Sequence, residues 1–435
     1  MGAVKRLTRN SFIKSTGAIL LAVMLTGCSL PSSELSSLVN EPEAEEPLTE
    51  DTIAVNTQES MPQPEEESSA LGDQNEAFED TAAEEDAAAS RETGTQTASS
   101  KEGGTWLLHG YYYNQLSRSQ QKLYDELYEA LAGLQEEVLV STLDTEELYL
   151  VYQCVMSDHP EIFYCEGYNY RLRTVDDVPE SITFSGKYIY TEEEIASYNE
   201  QIAAVLKKVQ SLLPASAGDY QVARTIYEYI IENTDYVIGA RDNQNLLSVL
   251  LWGESVCTGY AKAYQYLSNN LGVKTTMVTG VAGGNSHAWN LVRVEGEYYH
   301  VDPTWGDPAF TGKESAAEPM VGYGYLLITD EEICRNHSID NVMELPACNA
   351  RSASYFQREG RYITGVDPEQ LSQICKKARE NGETFIQLKA CNAQVYEALV
   401  QHLIADSHMF DYVGSDKTSY SYLTDEVMYT ISFEL

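Results

Sequence analysis

The sequence is short of basic residues: 28 Lys and Arg stand against 67 Asp and Glu, a formal net charge of −39 over 435 residues. A surface of that sign repels a phosphate backbone, which argues against nucleic acid as a partner. No two cysteines are spaced as CxxC and no His/Cys set has zinc-site spacing, so neither metal nor cofactor is expected. No apolar run reaches the about 20 residues needed to cross a bilayer as a helix. No internal repeat is evident, which argues against solenoids and propellers. Phenylalanine is scarce at nine, whereas tyrosine is abundant at 31. Tyrosines in that number serve amphipathic packing near surfaces, or a carbohydrate- or peptide-binding face.

The first residues carry Lys5, Arg6, Arg9 and Lys14, then the short apolar run Gly17 to Leu25. That is the layout of a secretory signal. Leu25-Thr26-Gly27-Cys28 resembles the lipobox of bacterial lipoproteins, which implies cleavage after residue 27 and lipidation of Cys28. The expected location is extracytoplasmic, lipid-anchored through Cys28 to the outer face of the bacterial cytoplasmic membrane. From Ser29 to Gly104 there are 20 acidic residues against Arg91 and Lys101, with almost no aromatics. Such a chain cannot offset its ordering entropy by burial, so residues 28–104 are expected to be a disordered tether with a reach on the order of 50 Å.

Thr105 to Leu435 is long enough for two or three small cores. Residues 105–215 read as a mainly helical extension. Leu123, Leu127, Leu131 and Leu134 mark one helix, and Asp144 with Glu147 opens a second that Pro160 stops. "YNYRLRTV" and "SITFSGKYIY" alternate as a strand pair. Thr191 with Glu194 caps a long helix, and Asp219 starts another. Residues 341–435 read as a small α/β unit, with a helix opened by "DPEQ".

Between these, residues 216–340 carry the chemistry. In "SVCTGYAKAYQYLSNNLG", Tyr260, Tyr264, Leu267 and Leu271 line one face of a helix closed at Gly272. Ser255 is the expected N-cap, which puts Cys257 in the first turn, where unpaired N–H groups and the helix dipole favour a thiolate. The seven cysteines after Thr105 are odd in number, so at least one stays free, and Cys257 is the candidate. The period then switches to two in "VKTTMVTGVAG", "SHAWNLVRV" and "EYYHVDPTW". If Glu295-Gly296 is a two-residue turn, paired residue numbers sum to 591. His287 then lies opposite Thr304, with Asp302 a diagonal step away on the same face. A histidine and a carboxylate beside a helix-start cysteine are what a thiol nucleophile requires.

The runs "SVLLWGESVCTGYAKAYQYLSNNLGV", "HAWNLV" and "YYHVDPTWGDP" resemble the transglutaminase-like superfamily, over about Asp219 to Asp307. "YGYLLITDEEICRNH" resembles the stretch that follows the core in secreted bacterial members, and "DHPEIFY" an extension of clostridial-type surface proteins. The resemblance implies an α+β fold: a papain-like core of helices packed on an antiparallel sheet. It carries the catalytic roles onto Cys257, His287 and Asp302. Cys257 would attack an amide carbonyl to give a thioester, His287 would protonate the departing amine, and Asp302 would hold the imidazole. One oxyanion donor is the Cys257 backbone N–H, and Gln244 is nominated as a second. The resemblance leaves open a cysteine protease or amidase, a cross-linking transglutaminase, or a non-catalytic wall-binding module. Retention of all three residues favours an enzyme acting on proteins or peptidoglycan peptides.

Overall fold

The computed structural model describes residues 5–8, 54–59, 110–307, 321–414 and 419–435. The apolar run of the signal, Cys28 and most of the acidic segment lie outside the described residues. Two short strands precede the main body: β1 (Lys5–Thr8) and β2 (Ala54–Glu59). β2, "AVNTQE", comes from within the acidic segment, so part of the expected tether lies on a sheet.

A helix–sheet unit comes next, made of α1 (Arg118–Ala132), β3 (Val138–Val140), α2 (Thr145–Asp158), β4 (Cys165–Val175), β5 (Val178–Tyr188) and α3 (Glu192–Leu212). Its sheet runs β2-β4-β5-β3. The Thr191–Glu194 capping box forms as the spacing predicts, and Asp144 caps α2 through the Glu146 and Glu147 amides.

The central unit holds α4 (Asp219–Glu232), β6 (Asp235–Tyr236), β7 (Glu254–Ser255), α5 (Cys257–Asn270), β8 (Thr275–Ala282), β9 (Asn285–Val294), β10 (Glu297–Val301) and α6 (Pro303–Gly306). It ends with β11 (Leu326–Ile328), α7 (Asp330–Ile333) and β12 (His337–Ile339). The sheet order β11-β10-β9-β8-β12 is antiparallel throughout, and α5 packs on β8 and β9. Two-residue turns connect β8 to β9 and β9 to β10. Gly283 and Gly284 have φ of 58° and 87°, and Glu295 and Gly296 have 53° and 94°. That left-handed pair is what a tight hairpin with right-twisted strands requires.

One continuous buried core runs from Tyr112 to Phe356. The extension and the central unit therefore share it, with no gap at residues 215 and 216. The C-terminal unit has its own core from Ile363 to Leu435. It contains α8 (Tyr355–Arg358) at its approach, then β13 (Tyr362–Ile363), α9 (Pro368–Glu380), β14 (Phe385–Ala390), α10 (Ala393–Val400), α11 (Met409–Tyr412), β15 (Ser419–Asp425) and β16 (Thr430–Glu434). Its sheet is β1-β15-β16-β14-β13, with β13 and β14 parallel across α9. No described helix is long and apolar enough to cross a membrane.

Candidate active site

Cys257 stands at the first position of α5. The N-cap is Val256, with an extended backbone and no side-chain cap bond, not the expected Ser255. Ser255 is turned inward because its hydroxyl pairs with that of Ser248 at 2.6 Å. Both hydroxyls lie where a Cβ on Gly259 would collide with them, which explains the glycine of "CTGY". With Ser255 withdrawn, no side chain of the N-cap residue takes the first-turn amides of α5, and their partial positive charge stays beside the thiol.

The β9–β10 register pairs Glu297 with Val294 and Val301 with Asn290, the predicted sum of 591 at every step. Asp302 leaves the strand one residue later and caps α6, accepting the Trp305 amide on Oδ1 at 3.1 Å. Its own amide donates to the Tyr325 carbonyl at 3.0 Å. His287 Nε2 lies 2.7 Å from Asp302 Oδ2. That leaves Nδ1 for the hydrogen bond that His287 shares with Cys257. Asp302 is fully buried and His287 nearly so, while the thiol is half-buried and reachable.

The electrostatics follow from these bonds. Burial pushes the Cys257 thiol up, but the hydrogen bond and charge of His287 and the Ala288 amide outweigh it, and the thiol falls below its ordinary value. Burial works against the His287 cation, yet Asp302 and Cys257 raise it to about 10. Asp302 is held well below the usual carboxylate range because the charges and hydrogen bonds of His287 and His337 overcome its burial. The arrangement therefore favours the thiolate of Cys257 and the imidazolium of His287, braced by an anionic carboxylate. Tyr236, on β6 beside β7, keeps its proton: burial, then the charges of Cys257 and Asp302, raise it to about 12.

Three supports lie outside the sequence reading. Asn290 ties β9 to α5, donating Nδ2 to the Ala261 carbonyl at 3.0 Å. The Trp289 ring stacks on His287 at 5.9 Å, and its Nε1 donates to His300 Nδ1, whose Nε2 reaches Asp330 at 2.9 Å. His337, from β12, places Nε2 3.0 Å from Asp302 Oδ2. The only hint of His337 in the sequence is its place at the end of "DEEICRNH".

Gln244, the nominated second oxyanion donor, lies in a turn between β6 and β7. It is exposed, and its amide bonds the Asn243 side chain at 3.3 Å. The chain turns at Asp242, with φ 53°, and the buried position falls to Asn245, which takes the Leu247 amide at 2.8 Å. Among the described residues, two sets of donor atoms lie within 4.8 Å of one another, His287/Asp302/His337 and His300/Asp330/Cys348. In the first, each atom is already spent on a hydrogen bond to another member. In the second, His300 Nε2 is spent on Asp330 in the same way.

Residues 207–303 match the core of the transglutaminase-like superfamily. The human kyphoscoliosis peptidase is 28% identical over 134 residues, 26% of this chain and 20% of that protein. Its mouse counterpart is 26% identical over 150 residues, 31% of this chain and 23% of the other. The chain thus spans about a fifth of the length of these curated relatives. A solved structure of a TGase aligns at 13% identity with a TM-score of 0.25, over 35% of this chain and 47% of its own. Residues 207–303, which hold Cys257, His287 and Asp302, thus match a transglutaminase-like domain.

Proposed function

We propose that the protein is a cell-surface cysteine hydrolase that cleaves amide bonds of proteins or peptidoglycan peptides through a thioester. The hydrogen-bonded line Cys257–His287–Asp302 at the start of α5 carries this reading. The Cys257 thiolate attacks the carbonyl carbon, forming C–S and placing the charge on oxygen beside the first-turn amides. As C–N breaks, the His287 Nδ1 proton passes to the departing nitrogen. Water then gives a proton back to His287 while its oxygen attacks the thioester, and C–S breaks to release the acid and restore the thiolate. Asp302 keeps Nε2 as the donor nitrogen and stabilises the imidazolium throughout.

The relatives named as peptidases favour water over an amine as acceptor. A transferase needs a pocket that selects an amine against far more abundant water, and no residue in the site is assigned that task. Ammonia or free-amine release from a soluble amide, measured with and without a labelled primary amine, separates the two. Release unaffected by the amine is expected. Quantitative incorporation of the amine overturns hydrolysis in favour of cross-linking.

Location is a separate part of the proposal and rests on the lipobox at Cys28. Cys28→Ala is expected to leave the protein without lipid mass and released or unprocessed, with its activity on a soluble amide retained. Normal membrane retention of that variant, with no lipid on the wild type, rules out the anchor.

A further inference from the structure

Oδ2 of Asp302 carries one more hydrogen bond than the reaction above uses. It is reached by two imidazoles, His287 at 2.7 Å and His337 at 3.0 Å. His337 lies 35 positions after Asp302, on the outermost strand of the sheet. Its side chain is fully buried. The approach of β12 to β8 needs Gly280, where a Cβ would collide with the Ser338 carbonyl.

The rest of the ring is equally constrained. His337 Nδ1 is 2.7 Å from the Asn336 side-chain amide, and Asn336 Nδ2 donates to the Tyr325 hydroxyl at 2.6 Å. The Tyr325 carbonyl in turn accepts the Asp302 amide. A closed circuit of bonds thus runs from the Asp302 side chain through His337, Asn336 and Tyr325 back to the Asp302 backbone. Trp289 and Trp305 pack on the His337 ring at 5.2 Å each, Tyr325 at 5.9 Å and His287 at 5.3 Å. The titratable groups facing this ring are therefore Asp302, His287 and Tyr325.

Three roles compete for such a histidine. A second general base is excluded by direction: Nε2 is spent on a carboxylate, and the thiol bonds His287. A metal ligand fits poorly, because atoms bound to one tetrahedral zinc at about 2.0–2.1 Å stand roughly 3.3 Å apart. Here the pairs sit at hydrogen-bond separations of 2.7 and 3.0 Å. Simple packing would not need both nitrogens paired.

We propose that His337 is a positioning residue that clamps the Asp302 carboxylate, so that one Oδ2 lone pair is fixed on His287 Nε2. The inference rests on the acyl-transfer reading of Cys257, His287 and Asp302. Two consequences follow from one bond. The carboxylate, held at Oδ1 by Trp305 and at Oδ2 by His337, cannot rotate away from the imidazole. The N–H from His337 also draws charge from Oδ2, which weakens the hold of Asp302 on the His287 proton and keeps that proton transferable to a leaving amine.

The test compares His337→Leu and His337→Gln with wild type in the full chain. It reads iodoacetamide alkylation of Cys257 against pH by intact mass, and kcat and KM on the soluble amide. His337→Leu is expected to lower kcat about 10- to 100-fold with KM little changed. It should also move the alkaline limb, where His287 loses its proton, upward. His337→Gln returns an amide N–H near the Nε2 position and should restore both readouts to within a few-fold. Wild-type kcat and an unmoved limb in His337→Leu overturn the clamp. So does equal loss in both variants that tracks a lowered Tm, since that marks packing alone. The underlying reading is judged on the wild type: Cys257 no more reactive at mildly acid pH than the exposed Cys334 defeats the catalytic site whatever His337 does.

Discussion

Cys257→Ala is expected to abolish amide cleavage, and Asp302→Asn to lower turnover about 10⁴-fold while leaving the thiol in place. The asymmetry follows from the roles. Without the sulfur no acyl-enzyme forms, whereas asparagine leaves the nucleophile but offers His287 an uncharged partner that can stabilise the wrong tautomer. The same electrostatics predict a labelling pattern. The Cys257 thiolate is lost only as pH falls through a value below the ordinary thiol range, and the His287 cation persists upward to about 10. Iodoacetamide at about pH 6 should therefore modify Cys257 first, since free thiols otherwise titrate near 8.5. Burial drives the competing thiols the other way, Cys154 to about 12 and Cys375 to about 11. His287→Ala removes the largest favourable contribution and should abolish labelling at that pH. Equal labelling of Cys154 or Cys375 there, or full activity in Cys257→Ala, removes the thiol from the mechanism.

The geometry of that site was legible where its determinants are local. Glu295-Gly296 forces a two-residue turn, the turn forces the register, and the register brings Asp302 to His287. Cys257 at a helix start followed from the apolar spacing of α5 alone. The misreadings share a different cause. Ser255 looks like a cap locally, but a pairing with Ser248 seven residues earlier turns it inward. His337 reaches the site only because β12 crosses to the edge beside β8, a pairing of distant segments that no local spacing encodes.

The tyrosines teach the same lesson about burial. Tyr112, Tyr124, Tyr168, Tyr227, Tyr260, Tyr264, Tyr299 and Tyr420 are all essentially inaccessible. Several place the hydroxyl on a backbone carbonyl: Tyr112 on Met277, Tyr227 on Gly322 and Tyr264 on Ala223. Composition records how many tyrosines there are and not which way they face. Here many serve as core residues that carry their own hydrogen-bond donor inward.

Lys389→Met is expected to destabilise the protein by about 3–5 kcal/mol, because it strands a buried carboxylate. Lys389, on β14 of the C-terminal unit, is almost fully buried and pairs with Glu332 Oε1 at 2.6 Å. Glu332 belongs to α7, whose first residue Asp330 anchors His300 and whose last, Ile333, packs in one cluster with Trp289. The pair therefore joins the C-terminal unit to the frame behind the catalytic histidine. Burial pushes the Lys389 ammonium down, with Glu332 opposing; Glu332 is itself held below its usual range because Lys389 outweighs its own burial. For Glu332 the folded value lies below the unfolded one, so its contribution is complete above the ordinary carboxyl range and fades as pH falls through the folded value. Urea unfolding of wild type, Lys389→Met and the double variant Lys389→Met/Glu332→Gln gives the check. Glutamine keeps the oxygen that caps Thr329 on α7 but carries no charge, so the double variant should recover most of the loss at neutral pH. The single variant should also approach wild type as acid protonates Glu332. A double variant no more stable than Lys389→Met would mean that the lysine acts through its packed hydrocarbon stem and that the charge on Glu332 is not what it neutralises.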